Sequence, residues 1–368
     1  MTSEIAVDTL RQWLDEHRQI AVLDVRTRED RAQWWIPNST HVDAYEALRT
    51  GEPGPLATLA LPAHQPVVTV CGAGRLSRTA AEILSARGLD VSSLIGGMKA
   101  WSVAWNTADV TMPEAPAPVV QVRRTGKGCL SYIVGSDDEA AVIDAALAPH
   151  VYLTLARDRG WRIRYVLDTH IHADHLSRSR RLAEDAGATL MLPEQRRVRF
   201  PYSALADGDQ IQVGTSVLAA RRTPGHTLES MSYVLNADAV FSGDTLFTYG
   251  VGRPDLHADS TGARTRAREL YHSLACLRSL PPSTLVLPGH ASEPIPFDRC
   301  AIAATLRDID VWLSTWLVSE EAFIDRVVSR LPPTPLNFAR IVALNELGHL
   351  PDDDATELEA GANRCSVA

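Results

Sequence analysis

The sequence predicts two α/β units in tandem followed by a helical extension. Its 368 residues exceed what one compact core usually holds. Strand-like apolar runs alternate with helical patterns on both sides of a proline-rich stretch at 109–118, "DVTMPEAPAP". From 298 onward the strand signals stop and helical periodicity takes over.

Residues 4–17 carry Ile5, Leu10, Trp13 and Leu14 on one stripe, with Asp8 placed to cap, and read as a helix. "IAVLDVR" and "PVVTV" (66–70) read as buried strands, the second running into Cys71. Helical spacing over 78–87, stopped by Gly88, the strand "VSSLI" and the turn "GGMKAW" complete a parallel unit over 1–108. The stretch 109–118 has no apolar face and is expected to be a linker. "SYIVG", "AAVIDA", a helix near 149–160, "RYVLDTH", strands at 211–220 and 231–242, and "TLVLPGH" make a second unit over 119–297. Helices at 298–317, 319–331 and 337–347 form an extension over 298–350. Phe323, Ile324, Val327, Val328 and Leu331 share one face, and two prolines at 332–333 break the pattern. Residues 351–368 are acidic, then small and polar, and are expected to be a mobile tail.

Composition narrows the function classes. Apolar residues make up 45% and charged residues 22%, with a net charge of −9, which disfavours nucleic acid as a partner. Arginine groups at 178–181, 196–199 and 221–222 mostly suit solvated faces, with steering of a small anionic substrate as the alternative. The cysteines, Cys71, Cys129, Cys276, Cys300 and Cys365, are odd in number and lack a CxxC, which argues against a disulfide framework. No basic and apolar leader opens the chain and no apolar run reaches spanning length, so a cytoplasmic protein without a membrane partner is expected. The sequence leaves a homo-oligomer open.

"DTHIHADHLSRS" packs His170, His172, Asp174 and His175 into six residues. His226 in "TPGHT", Asp244 in "SGDTLF" and His290 in "LPGH" add three donors, each in a loop just past a strand. Seven donors suffice for two metals with Asp244 bridging. Isolated histidines such as His17, His64 and His349 are read as ordinary polar residues.

These four motifs, in this order, resemble the metallo-β-lactamase superfamily over about residues 119–297. The resemblance implies an αβ/βα sandwich with the metal at the edge between its sheets. Following Asp244, "TLFTYGVGRPDL" resembles the GxGRxD element of the persulfide dioxygenases in that superfamily, matched by Gly250, Gly252, Arg253 and Asp255. That resemblance implies one Fe(II) held by His170, His226 and Asp244, a facial triad with open positions for a persulfide sulfur and O₂. His172, Asp174, His175 and His290 are then groups that orient the ligands, or they are donors to a second metal. Asp174 is also the candidate catalytic carboxylate, and Arg253, Tyr249 and Asp255 are candidates for substrate contact, with bracing of Asp255 as the other role open to Arg253. A zinc enzyme with one or two ions would use the same residues to activate water.

Cys71 stands between a strand and a helix in "CGAGRLS", where Gly72 and Gly74 free the backbone to wrap around the sulfur. The helix N-terminus, with Arg75 and Arg78, would favour a thiolate. With "LDVRTREDRAQWWIPNSTHVD" and "LIGGMKAW", this loop resembles the rhodanese family over 4–105. The resemblance implies a parallel sheet flanked by helices, structural roles for Asp24 and Arg26, and a persulfide carried on Cys71. The loop Gly72, Ala73, Gly74, Arg75, Leu76 and Ser77 would cradle it. Joined, the two resemblances imply a bifunctional enzyme that oxidises glutathione persulfide, or a similar thiol persulfide, to sulfite and transfers sulfur at Cys71. The alternatives are a zinc thioester hydrolase of the glyoxalase II type carrying a rhodanese, and a non-catalytic sulfur carrier or sensor. Cys365, near the chain end, is weighed as a persulfide relay between domains.

Overall fold

A computed structural model describes residues 3–62, 64–112, 117–335, 337–351, 355–359, 361 and 363–368. In the N-terminal unit five parallel strands lie in the order Ser3–Ile5, Val91–Leu94, Val67–Val70, Ala21–Asp24 and Thr40–His41. The two strands Val67–Val70 and Ala21–Asp24 are buried without alternation because apolar clusters pack on both faces of the sheet. The first helix, Val7–Asp15, is shorter than expected because Ser3–Ile5 is spent on the edge strand. Asp8 sits in its first turn and caps nothing. The expected turn "GGMKAW" is a helix, Gly97–Trp101, anchored by the fully buried Trp101. Asp24 is held by the Arg26 guanidinium at 2.7 and 3.0 Å. Burial works against that carboxylate, but Arg26 and Arg31 outweigh it and keep the carboxyl below its usual range.

The second unit is a four-layer sandwich. One sheet runs Ser203–Leu205, Thr189–Pro193, Arg162–Leu167, Glu139–Ile143, Cys129–Ser136, Val119–Arg124 and Asn106–Val110. The other runs Gln210–Val213, Ser216–Arg222, Met231–Leu235, Ala239–Gly243, Leu285–Pro288 and Ala304–Thr305. Leu130, Tyr132, Val134 and Ile143 of the first meet Leu218, Tyr233, Phe241 and Leu287 of the second in one buried core. Helices Pro149–Arg157 and Ser179–Ala186 cover the outer face of the first sheet. Helices Ser260–Arg278, Leu306–Trp316 and Glu320–Ser329 cover the second.

Four differences from the sequence reading have physical causes. The predicted linker begins inside a strand: Asn106–Val110 pairs antiparallel with Val119–Arg124, burying Ala108 and Val110 while Asp109 faces out. Residues 113–116 of that stretch lie outside the described residues. The runs 211–220 and 231–242 are hairpins rather than single strands, turned at Gly214 (φ +51°) and at Asn236 and Ala237 (φ +47° and +69°). Helix Ser260–Arg278 was hidden by its arginines. Ala263, Ala267, Leu270, Ser273, Leu274 and Leu277 form its buried stripe, and Asp259 caps it through Gly262 N–H.

The fourth difference is the tail. Its described residues are packed: Glu359 is fully buried, and Cys365 and Val367 nearly so. Ser366–Val367 pairs with Val251–Gly252. Glu359 accepts from Arg124 at 2.6 Å and from Leu176 N–H at 2.7 Å, and it also pairs with Arg178. The acidic residue that suggests mobility in sequence is thus consumed by two arginines of the sandwich. Residues 352–354, 360 and 362 lie outside the described set.

The two units pack directly. Trp34 Nε1–H donates to Thr125 O at 3.0 Å, Arg124 Nε–H donates to Ser102 O at 2.7 Å, and Trp101 packs on Phe297. Among the described residues, no helix is long and apolar enough to cross a membrane.

Candidate metal centre

Three loops at one edge of the sandwich deliver His170, His226 and Asp244. Each follows a strand end, Leu167, Arg222 and Gly243 respectively. Gly252 is required beside them, because a Cβ there would lie 1.9 Å from Asp244 O and 2.9 Å from His226 Cβ. All three are buried, and their donor atoms lie within 4.8 Å of one another.

The hydrogen bonds fix which atoms face inward. Thr169 Oγ1–H donates to Asp144 at 2.8 Å, so the same oxygen accepts from His170 Nδ1–H at 2.9 Å and leaves the Nε2 lone pair free. His226 Nδ1–H donates to Arg253 O at 2.9 Å, again leaving Nε2 as a lone pair. Asp244 Oδ1 accepts from His290 Nδ1–H at 2.6 Å, and Oδ2 has no hydrogen-bond partner among the described residues. Oδ2 lies 3.8 Å from His170 Nε2 and 3.6 Å from His226 Nε2. Burial, reinforced by His172, holds His170 well below the usual histidine range, and burial likewise lowers His226. Two neutral imidazoles and a carboxylate therefore turn lone pairs on one another. Atoms each ~2.1 Å from a shared cation lie at most ~4.2 Å apart, which these separations satisfy. The residues fit a metal ion.

Asp174, His175 and His290 form a second group with Cys129, which the sequence reading did not single out. His290 Nε2 lies 2.9 Å from Asp174, so its ring bridges Asp174 and Asp244 with both nitrogens donating. Burial disfavours this imidazolium, yet the two carboxylates raise His290 well above its usual range. Burial also opposes the charge on Asp244, but His290 keeps it well below the carboxylate range. Asp174, buried likewise, is held well down by His290 and His175. Burial and Asp174 push the Cys129 thiol up, and His175 and His290 bring it down to about 6. Burial works against a charged His175, but Asp174 and Cys129 raise it to about 10. Cys129 faces His290 because the two sheets touch there, with Leu130 N–H on Gly289 O and Ala291 N–H on Gly128 O.

His172 Nε2 lies 3.2 Å from Asp144 and 4.0 Å from Asp168, and it groups with those two carboxylates. Its ring lies 4.3 Å from that of His170 and 4.2 Å from that of His175, and among the described residues its buried Nδ1 has no hydrogen-bond partner. Asn345, also unflagged by sequence, clamps this loop by donating to His172 O and His175 O and accepting from Ser177 N–H.

The candidate substrate contacts divide. Arg253 is fully buried and all five of its N–H groups are engaged. Asp255 takes two at 2.8 Å, and the carbonyls of Pro332, Pro333 and Arg364 take the others. That leaves no donor for a substrate, so Arg253 and Asp255 brace the fold instead. Tyr249 is 58% exposed, stacks on Trp312 and lines a small cavity with His290. The larger opening beside the metal group is a cleft of about 330 Å³ reached past His170, His172, Arg180, Arg181, Phe200 and Leu344.

In the N-terminal unit Cys71 is buried, its Sγ accepts from Gly74 N–H at 3.1 Å, and Ser77 Oγ lies 3.4 Å away. The following helix, Arg75–Ala86, points its N-terminus at the sulfur. Arg78 does not assist, since it is spent on Glu4 at 2.8 Å on the surface. Arg75 is exposed and Leu76 packs against the core.

Comparison with known proteins agrees with this layout. Residues 6–104 match the rhodanese-like domain, and residues 124–290 match the metallo-beta-lactamase superfamily. The chain is a rhodanese-like domain joined to a metallo-β-lactamase fold. The chain is 35% identical over 153 residues to a hydroxyacylglutathione hydrolase of Rhodospirillum rubrum, covering 41% of this chain and 56% of the relative. A protein of the same name from Brucella ovis is 33% identical over 159 residues, covering 42% and 59%. The chain thus spans little more than half the length of these curated relatives. Among solved structures, a metallo-beta-lactamase from Staphylococcus aureus superposes with a TM-score of 0.57 at 27% identity, covering 64% of this chain and 74% of that one. ETHE1 from Myxococcus xanthus superposes with a TM-score of 0.55 at 29% identity, covering 62% of this chain and 98% of that one.

Proposed function

We propose that this chain oxidises a thiol persulfide, such as glutathione persulfide, at an iron-loaded metal centre and transfers sulfur at Cys71. Thiol persulfide, O₂ and water give thiol and sulfurous acid. The S–S bond breaks, the terminal sulfur is oxidised and O₂ is reduced.

The observation that carries this reading is the division of Asp244. One oxygen is tied to His290 and the other faces His170 and His226. Two histidines and one carboxylate make the donor set of non-haem iron(II) oxygenases. An iron(II) held by His170, His226 and Asp244 supplies open positions at which a persulfide sulfur and O₂ meet. Thr169 and the Arg253 carbonyl orient the two imidazoles, and His290 keeps Asp244 ionised and aimed. The GxGRxD element and the superposition covering 98% of ETHE1 support the same reading.

A second reading, a zinc thioester hydrolase, is favoured by the curated relatives' name, hydroxyacylglutathione hydrolase, and by the second donor group, Cys129, Asp174, His175 and His290. Metal analysis of anaerobically purified protein separates the two. About one iron per chain is expected, whereas two zincs per chain, or zinc with iron absent, would overturn the assignment.

A further inference from the structure

A cavity on the seam between the two domains carries more unpaired cation than anion. About 240 Å³ in volume, it is lined by Gln33 of the N-terminal unit, by Lys127, by Asp174 of the histidine loop and by Glu357 and Arg364 of the tail. Phe338, Ile341 and Leu358 add an apolar wall. Both acids at this cavity are already met by cations. Asp174 lies 3.0 Å from His175 and 2.9 Å from His290, and Glu357 accepts from Lys99 at 2.7 Å. The two cations that line the cavity lack such partners. Lys127 is 3% exposed, and among the described residues its ammonium meets one acceptor, Gly361 O at 3.5 Å. Arg364 forms no ion pair among the described residues, and its contact with Arg253 is made through its carbonyl.

Taking an ammonium out of water is costly unless a counter-charge meets it. A buried lysine at a cavity wall, with no carboxylate of its own, therefore points to a ligand that brings the negative charge. Two cations suit a dianion, which each can hold through charge-assisted hydrogen bonds. Volume limits its size, because pockets for drug-sized ligands run to ~300–1,000 Å³. This one suits a small ion rather than a whole tripeptide thiol.

Position narrows the chemistry further. Asp174 belongs to the loop that carries His170. Lys99, whose side chain holds Glu357, donates its backbone N–H to Gly72 O in the Cys71 loop at 2.9 Å. The cavity wall thus includes the metal loop and is linked through Lys99 to the sulfur-carrying loop.

We propose that this cavity binds a small sulfur oxyanion, sulfite, between Lys127 and Arg364. The choice of sulfite over other small dianions rests on the persulfide oxidation proposed above, whose product it is. The cations and the cavity do not depend on that reading.

Calorimetric titration of sulfite into the full chain under argon tests this, with Cys71→Ser as the background so that no persulfide on that sulfur reacts. About one sulfite per chain is expected, and Lys127→Met and Arg364→Gln should each weaken binding about tenfold. Without anion, Lys127→Met should melt at or above the background protein, because a buried charge is gone. The rise in Tm that sulfite gives should shrink in both variants. No binding, or binding that both variants keep, overturns the site. A lower melting temperature for Lys127→Met together with normal sulfite binding by Arg364→Gln marks a structural lysine and also overturns it. Phosphate that binds as tightly as sulfite overturns the sulfur assignment. Sulfite bound here by a protein that takes up no O₂ with glutathione persulfide overturns the function proposed above and leaves the site standing.

Discussion

His290 Nδ1–H meets Asp244 Oδ1 at 2.6 Å, so the carboxylate that faces the two neutral histidines is oriented by a third, charged one. Removing that donor should free Asp244 to rotate. His290→Ala is expected to weaken metal affinity about 10- to 100-fold, measured by competition with a chelator. Unchanged affinity would show that Asp244 needs no such support.

Glu359 is the acidic clasp of the tail. Burial opposes its charge, but Arg124 and Arg178 lower it from 4.5 to about 2. Because the folded value is depressed, its contribution is complete above pH 4.5 and is lost as pH falls towards about 2. The shift corresponds to about 3 kcal/mol. Glu359→Gln should therefore cost roughly that much near neutral pH. The gap from wild type should narrow between pH 4.5 and about 2, read by denaturant melts. A gap that widens on acidification would contradict the assignment.

Arg253 ties Asp255 to the carbonyls of Pro332, Pro333 and Arg364. Lysine cannot reproduce that fork, so Arg253→Lys should lower stability by about 2 kcal/mol or more. It should also expose the C-terminal residues to limited proteolysis. A variant with wild-type stability and protease resistance but a raised KM would restore Arg253 as a substrate contact.

Cys71 lies in the other domain, and its loop shares none of the metal-centre donors. Cys71→Ser should abolish the persulfide adduct, seen by mass spectrometry as one added sulfur on wild type. Oxygen uptake with glutathione persulfide should stay within about twofold of wild type, as for independent sites. Loss of both activities would show that oxidation depends on sulfur passing through Cys71.

The grouping of His170, His226 and Asp244 was legible in sequence because each stands in a short motif at a strand end, and local pattern suffices to place it. The sandwich was legible for the same reason. What escaped depends on contacts between distant residues. Cys129 becomes relevant only because its strand meets the His290 loop, and Asn345 only because its helix packs on the histidine loop. The tail has no periodicity to read. It is fixed by one buried ion-pair cluster at Glu359 and a two-residue strand, which are single contacts rather than a pattern. Arg253 was found by motif with two roles open, substrate contact or bracing Asp255, and its hydrogen bonds to Asp255 decide for the second, which a motif alone does not show.

The most direct test is oxygen consumption by iron-loaded protein given glutathione persulfide. The account predicts O₂ uptake matched by equal formation of sulfite and glutathione, abolished in Asp244→Ala and His170→Ala. Iron-loaded protein that consumes no O₂ with the persulfide, while zinc-loaded protein hydrolyses a glutathione thioester, would contradict it.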